Sequence, residues 1–179
     1  MKRRLKEESV IFISIVKWLV LASVVGMLVG LATTVFLKLL SWSTAYVGGY
    51  GYYFLGLPVA MFLSAVVVKY LSPDSEGHGT EKVIEAVHKR SGRIKLAVVP
   101  VKIVATVITL AFGGSVGKEG PCAQIGGAIS SSFADILRFS ASDRRKLVIC
   151  GISGGFAAVF GTPITGAIFG IEVLLVGGI

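Results

Sequence analysis

Charge is scarce in this chain. Only 16% of its 179 residues are charged, where soluble domains carry about a quarter. Acidic residues are the scarcer sign, ten Asp and Glu against eighteen Lys and Arg, for a net charge of +8. Cysteine is nearly absent: Cys122 and Cys150 stand in apolar, glycine-rich segments without CxxC spacing, which argues against a disulfide framework or zinc site and for small packing residues. The two histidines, His78 and His88, lie ten residues apart with no cysteine beside either, so no metal is expected. No triad and no cofactor loop stands out, so neither a cofactor nor an enzymatic activity is expected. A P-loop fails at both ends of its pattern: the first glycine position is Phe112, and Lys118 is followed by Glu119 rather than Ser or Thr. The basic residues have no interleaved aromatics, which leaves nucleic acid without support as a partner.

What the chain does have is apolar length. It is 54% hydrophobic, in runs long enough to read as an integral membrane protein. Residues 1–8 are basic, and the apolar run after them is too long for a signal-peptide core. Residues 10–40 form the longest stretch, broken only by Lys17 and Lys38. Wholly helical, it would run roughly 46 Å at about 1.5 Å per residue, past a hydrocarbon core of about 30 Å. Gly26 and Gly30 form a small-xxx-small pair suited to helix contact. Residues 41–51, uncharged and holding Trp42, Tyr46 and Tyr50, are predicted to be a short external loop at the aromatic belt. Residues 52–71 form a second span, stopped by Ser72-Pro73-Asp74.

The segment 80–91 is predicted to be a short amphipathic helix, with Val83, Ile84 and Val87 on its apolar side. Residues 96–112 form a third apolar segment, containing Lys102, which either faces a cavity or polar partner or snorkels to one end. Residues 121–139 are predicted helical with a wetter end at Ser130-Ser131-Ser132 and Asp135, and residues 140–146 form a polar turn. Residues 147–160 and 164–176 are further apolar helices, carrying small-residue pairs at Gly151/Gly155 and Gly166/Gly170. Positive charge gathers at the N-terminus, at residues 69–95 and at 138–146, which the positive-inside rule places in the cytoplasm.

Between the segments 96–112 and 122–137 lies Gly113-Gly114-Ser115-Val116-Gly117-Lys118-Glu119-Gly120-Pro121. Four glycines in nine residues let the backbone approach a ligand closely. Pro121 suits the first position of a following helix, whose free N–H groups attract an anion. A lysine and a glutamate at membrane depth point to function. Two readings stay open on the residues alone: an anion site with Glu119 as its mobile charge, or a glycine-rich connector whose charges reach water. A second glycine-flanked helix start is Gly77-His78-Gly79, where His78 is either a surface cap or a site residue. Several segments are too short or broken to cross alone, the form in which transporters place helix N-termini at mid-membrane.

Gly117-Lys118-Glu119-Gly120-Pro121 followed by Gln124-Ile125-Gly126-Gly127 closely resembles the G-K/R-E-G-P signature of the CLC chloride channels and chloride/proton exchangers. Gly77-His78-Gly79-Thr80-Glu81 stands where that family's G-S-G-I-P element would lie. Val99-Pro100-Val101-Lys102 and the stretch from Phe160-Gly161-Thr162-Pro163 to Ile171-Glu172-Val173 resemble neighbouring segments, so the likeness runs from about residue 25 to 173. The resemblance implies that Glu119 is the gating glutamate. It implies that Gly77, His78, Gly79, Gly117, Lys118, Gly120 and Pro121 surround the anion, with Lys102 as electrostatic support. Three departures stand out. His78 replaces the central serine, and an imidazole donates N–H and changes charge in the physiological range. Val173 stands where the exchangers' inner proton-relay glutamate would fall, as in the channel branch, with Glu172 just before it. The second half's G-x-F-x-P element and inner tyrosine are not in this sequence.

The expected fold is an all-α integral membrane bundle with broken or reentrant helices, one inverted repeat of a CLC-type transport domain. Residues 1–9 are a cytoplasmic N-terminus, and residues 10–179 are the N-terminal half of the transport domain, in a multi-pass protein of the cell membrane. The expected function is glutamate-gated, channel-like passage of chloride or a similar small anion. The alternatives are chloride/proton antiport, or a half-transporter inactive until assembled. The expected partners are the anion, protons, the lipid bilayer, and either an identical subunit or a second half.

Overall fold

The computed structural model describes residues 2–176, and the side chains of residues 11–172. All regular structure among them is helical: α1 Lys2–Gly48, α2 Leu57–Leu71, α3 Gly79–Lys89, α4 Val98–Ala111, α5 Glu119–Ile136, α6 Ala141–Phe160 and α7 Pro163–Val176. Short 3-10 turns at Tyr53–Gly56 and Pro73–Ser75 lead into α2 and α3. Residues Ile11–Gly48 and Tyr53–Leu71 are long and apolar enough to cross a membrane.

α5 is the axis of the bundle. Eleven of its eighteen residues are buried, and it supplies a residue to each of three core clusters. Ala123 packs with Val83 and Val87 of α3 and with Val148 and Ile152 of α6. Ala134 meets Val25 and Val29 of α1 and Leu147 of α6. Cys122 and Ile125 close around Phe36 of α1. Inside a bilayer, lipid tails are as apolar as leucine, so close packing rather than water exclusion holds such helices together. Glycine makes that closeness possible between α5 and α6. A Cβ at Gly126 would strike the Gly151 carbonyl, one at Gly151 would strike Ser130 Oγ and the Gly126 carbonyl, and one at Gly155 would strike the Cys122 carbonyl.

Several expectations are corrected. The predicted external loop at 41–51 is helical as far as Gly48. No proline interrupts it, Thr44 Oγ1 donates to the Leu40 carbonyl at 2.9 Å, and Trp42 stacks on Tyr46 one turn away at 5.9 Å. α1 therefore runs 47 residues, roughly 70 Å at about 1.5 Å per residue. Ser130 and Ser131 are fully buried rather than wet. Ser130 Oγ donates to the Gly126 carbonyl at 2.7 Å, and Ser131 Oγ accepts the Ile94 N–H at 3.0 Å. The polar turn at 140–146 is instead the start of α6. Ser140 caps it by accepting the Asp143 N–H, the usual role of serine at that position, and Arg144 is buried against Asp135.

The small-residue pairs divide. A Cβ at Gly26 or Gly30 would meet open space, although a Cβ at Gly154 of α6 would lie 3.9 Å from the Gly26 Cα, so α1 passes close to α6 there without needing a glycine at either position. Gly166 and Gly170 lie against Ser153 and Ala157 of α6. Together with Gly151 and Gly155 they are used inside the chain, in contacts between α6 and its neighbours α5 and α7. Gly161, at φ +67°, closes α6 in the left-handed region before Pro163 begins α7.

Candidate functional site

The two glycine-flanked helix starts meet. A Cβ at Gly79 would strike the Gly120 carbonyl and lie 3.0 Å from Gln124 Cβ, so α3 can dock on the first turn of α5 only because residue 79 has no side chain. The first intrahelical bond of α3 runs from the Lys82 N–H to the His78 carbonyl, and that of α5 from the Cys122 N–H to the Lys118 carbonyl. The N–H groups of Gly79, Thr80 and Glu81 therefore lack an intrahelical acceptor, as do those of Glu119 and Gly120. α5 begins at Glu119 rather than at Pro121. Pro121 is its third residue, which its missing N–H permits because the helix makes no bond there.

Two helix N-termini carry partial positive charge and repel one another unless an anion lies between them. Lys102 adds a full charge close by. It is 7% exposed, and its Nζ donates to the Ser75 carbonyl at 2.9 Å and the Gly77 carbonyl at 2.8 Å. Snorkelling is thereby set aside, because the head group is held within the chain by the loop that leads into α3. Each of these first turns carries a carboxylate, the exposed Glu81 of α3 and the half-buried Glu119 of α5. The Glu119 carboxylate folds back on the loop just before its helix, so that a Cβ at Gly117 would strike Oε2. Glu119 and Gly120 are half-buried and Pro121 is buried, whereas Gly117 and Lys118 are exposed.

His78 is exposed and occupies the cap position of α3 without a capping side-chain hydrogen bond. Gly77, at φ +75°, is exposed before it. Upstream of Glu119 the loop doubles back on α4, with the Gly114 N–H on the Thr109 carbonyl at 2.9 Å and Gly113 at φ +90°. A cavity of about 600 Å³ opens between α2, α4 and this region, with Ser64, Gly77, Lys102, Thr106, Thr109 and Val116 among its walls.

Glu172 stands apart, exposed on α7 rather than enclosed, and the side chain of Val173 lies outside the described residues. No cluster of metal-ligating side chains occurs among the described residues.

Two supports were not singled out from the sequence. Gln124, fully buried one turn into α5, donates through Nε2 to the Asp74 carbonyl at 2.9 Å. Asp74 pairs with Lys95 at 3.2 Å and Arg90 at 3.4 Å. Partial burial alone would raise the Asp74 carboxyl, but the two cations outweigh it and hold it below the ordinary carboxylate range. Gln124, Lys102 and the Arg90 and Lys95 partners of Asp74 thus hold residues 74–77 in place. A glutamine in a run of small apolar residues was the available signal.

The family model described as Voltage gated chloride channel matches residues 59–177. The chain belongs to that family. A chloride/fluoride channel protein of Pseudomonas syringae pv. tomato is 37% identical over 163 residues, covering 91% of this chain and 36% of the relative. The H(+)/Cl(-) exchange transporter ClcA of Salmonella arizonae is 34% identical over 167 residues, covering 86% of this chain and 35% of the transporter. Among solved structures, a CLC-type fluoride/proton antiporter superposes with a TM-score of 0.77 at 28% identity, over 86% of this chain and 38% of that one. The chain is thus a membrane protein of a family of channels and exchange transporters rather than enzymes. It spans a little over a third of the length of these relatives.

Proposed function

We propose that this chain forms part of a pathway for chloride or a similar small anion, with Glu119 as its gate and conduction of the channel type. One observation carries the reading: the α3 and α5 starts are in backbone contact at Gly79 and Gly120, and the Glu119 carboxylate folds back beside Gly117 at the start of α5. A carboxylate is itself an anion, so a place that suits chloride also suits Glu119. Charged, Glu119 blocks the site; neutralised or displaced, it opens it. Gly77, Gly79, Gly117, Lys118, Gly120 and Pro121 form the backbone cradle, His78 contributes an imidazole from α3, and Lys102 contributes charge and holds residues 75 and 77.

The names of the relatives divide: the Pseudomonas protein is named a channel, whereas the Salmonella transporter and the solved structure are named for proton-coupled exchange of chloride or fluoride, a second reading that the same gate serves. The basic clusters put the N-terminus in the cytoplasm under either reading. In inverted-repeat transporters the anion lies between two repeats, each giving broken-helix ends. One pair of helix starts surrounds only part of an ion, so the pathway is completed by surface outside these residues.

The test is anion efflux from vesicles holding the chain together with whatever completes the pathway. Glu119→Gln and Glu119→Ala are expected to raise flux severalfold and to flatten its pH dependence. Unchanged flux and unchanged pH response in folded variants would remove Glu119 as the gate. Proton movement opposite to the anion would decide for exchange.

A further inference from the structure

A second pocket, of about 310 Å³, lies between α3, α5 and the segment 90–95, away from the Glu119 carboxylate. Its volume is at the lower end of the range for small-molecule sites. Four of its lining residues are cations: Lys82, Arg90, Arg93 and Lys95. Two are carboxylates, and both are already paired. Asp74 is bound by Arg90 and Lys95, and Asp135 by the buried Arg144 of α6. Lys82 and Arg93 have no carboxylate partner among the described residues, so the pocket keeps an excess of positive charge.

One wall is the buried Gln124. Its Nε2 is spent on the Asp74 carbonyl, while its Oε1 is buried without a partner among the described residues. A buried amide oxygen without a donor is costly, and a ligand hydroxyl would relieve it. The half-buried Ile94 adds an apolar wall. The pocket therefore asks for an anionic group that Lys and Arg can grip, carrying a hydroxyl.

We infer that this pocket binds a phosphate group bearing or adjoining a hydroxyl, as in the phosphoglycerol headgroup of an anionic lipid or in hydrogen phosphate. Basic pockets between membrane helices hold lipid headgroups in this way. The bound phosphate competes with Asp74 for Arg90 and Lys95. Occupancy thus bears on the loop 74–77 that leads to His78, but the inference stands without any anion pathway.

The experiment uses the full chain purified in detergent and counts retained lipid by native mass spectrometry. Short-chain phosphatidylglycerol is compared with short-chain phosphatidylcholine, and inorganic phosphate is added as competitor. Preferential retention of phosphatidylglycerol that phosphate does not displace identifies a lipid site. Displacement by phosphate, with a higher melting temperature in its presence than in chloride, identifies a soluble phosphate site. Lys82→Gln with Arg93→Gln is expected to weaken the preferred probe about fivefold for each charge removed, whereas Lys82→Arg with Arg93→Lys retains it. Lys38→Gln, on α1 and outside the pocket, controls for net charge and should leave retention unchanged. Equal retention of both lipids with no effect of phosphate, or parental binding by the Lys82/Arg93 double glutamine variant, overturns the inference.

Discussion

His78 reaches the site region through its backbone, at the cap of α3, while its side chain is exposed and makes no capping bond. A residue so placed contributes little to holding the fold, and the proposed pathway gives it a part in selectivity. His78→Ser is expected to change the relative flux of chloride, nitrate and fluoride, and its pH response, between about pH 5 and 8, with little loss of folded protein. Identical profiles for variant and parent would put His78 outside the pathway. Asp74 gives the opposite case. Its carboxyl is held below the ordinary range, so its pairing is complete above the unfolded value and is lost only as pH falls through the lower, folded one. Asp74→Asn should leave any pH response between about pH 5 and 8 in place while loosening the loop before α3. A response that vanished with Asp74→Asn would assign that titration to Asp74 and contradict the sign argued here.

Among the elements, α5 decides the most because it touches α1, α3 and α6 at once. Its contact with α6 is backbone against backbone, which no side-chain rotation can relieve. Gly155→Ala drives a methyl into the Cys122 carbonyl and is expected to destabilise by about 1–3 kcal/mol, the range for overpacking a tight interface. Gly26→Ala on α1 meets open space and should be neutral or raise stability by up to about 1 kcal/mol, from helix propensity. Melting temperatures of the two variants in the same detergent compare them directly. Equal destabilisation would contradict the open space at Gly26 and place that face of α1 in tight contact. The pairs Gly26/Gly30 and Gly151/Gly155 have the same spacing, so the sequence pattern treats them alike, and only the packing shows that a side chain would clash at one pair and not at the other.

For the whole molecule, the exposed apolar surface is extensive. It includes Val59, Met61, Phe62 and Leu63 on α2 and Ile164, Ile168 and Ile171 on α7. Lipid or further protein must cover it. With a little over a third of its relatives' length present, the 179-residue chain reconstituted alone is expected to give chloride efflux no faster than empty vesicles. Robust, Glu119-dependent efflux from this chain alone would show that one pair of helix starts suffices. Much of this was legible in the amino acids themselves. Apolar runs set the membrane class and the helix count, because a bilayer leaves the backbone little choice but to satisfy itself. Glycine, lysine, glutamate and proline in nine residues marked the α5 start, because few other reasons place them together at membrane depth. What only the tertiary structure decided were relations across the chain: Gly79 against Gly120, Lys102 on the carbonyls of residues 75 and 77, Gln124 on that of Asp74, and the serines of α5 turned inward. The physical reason is that local pattern reports what each segment prefers, whereas a backbone carbonyl looks the same at every residue until folding brings a donor to it.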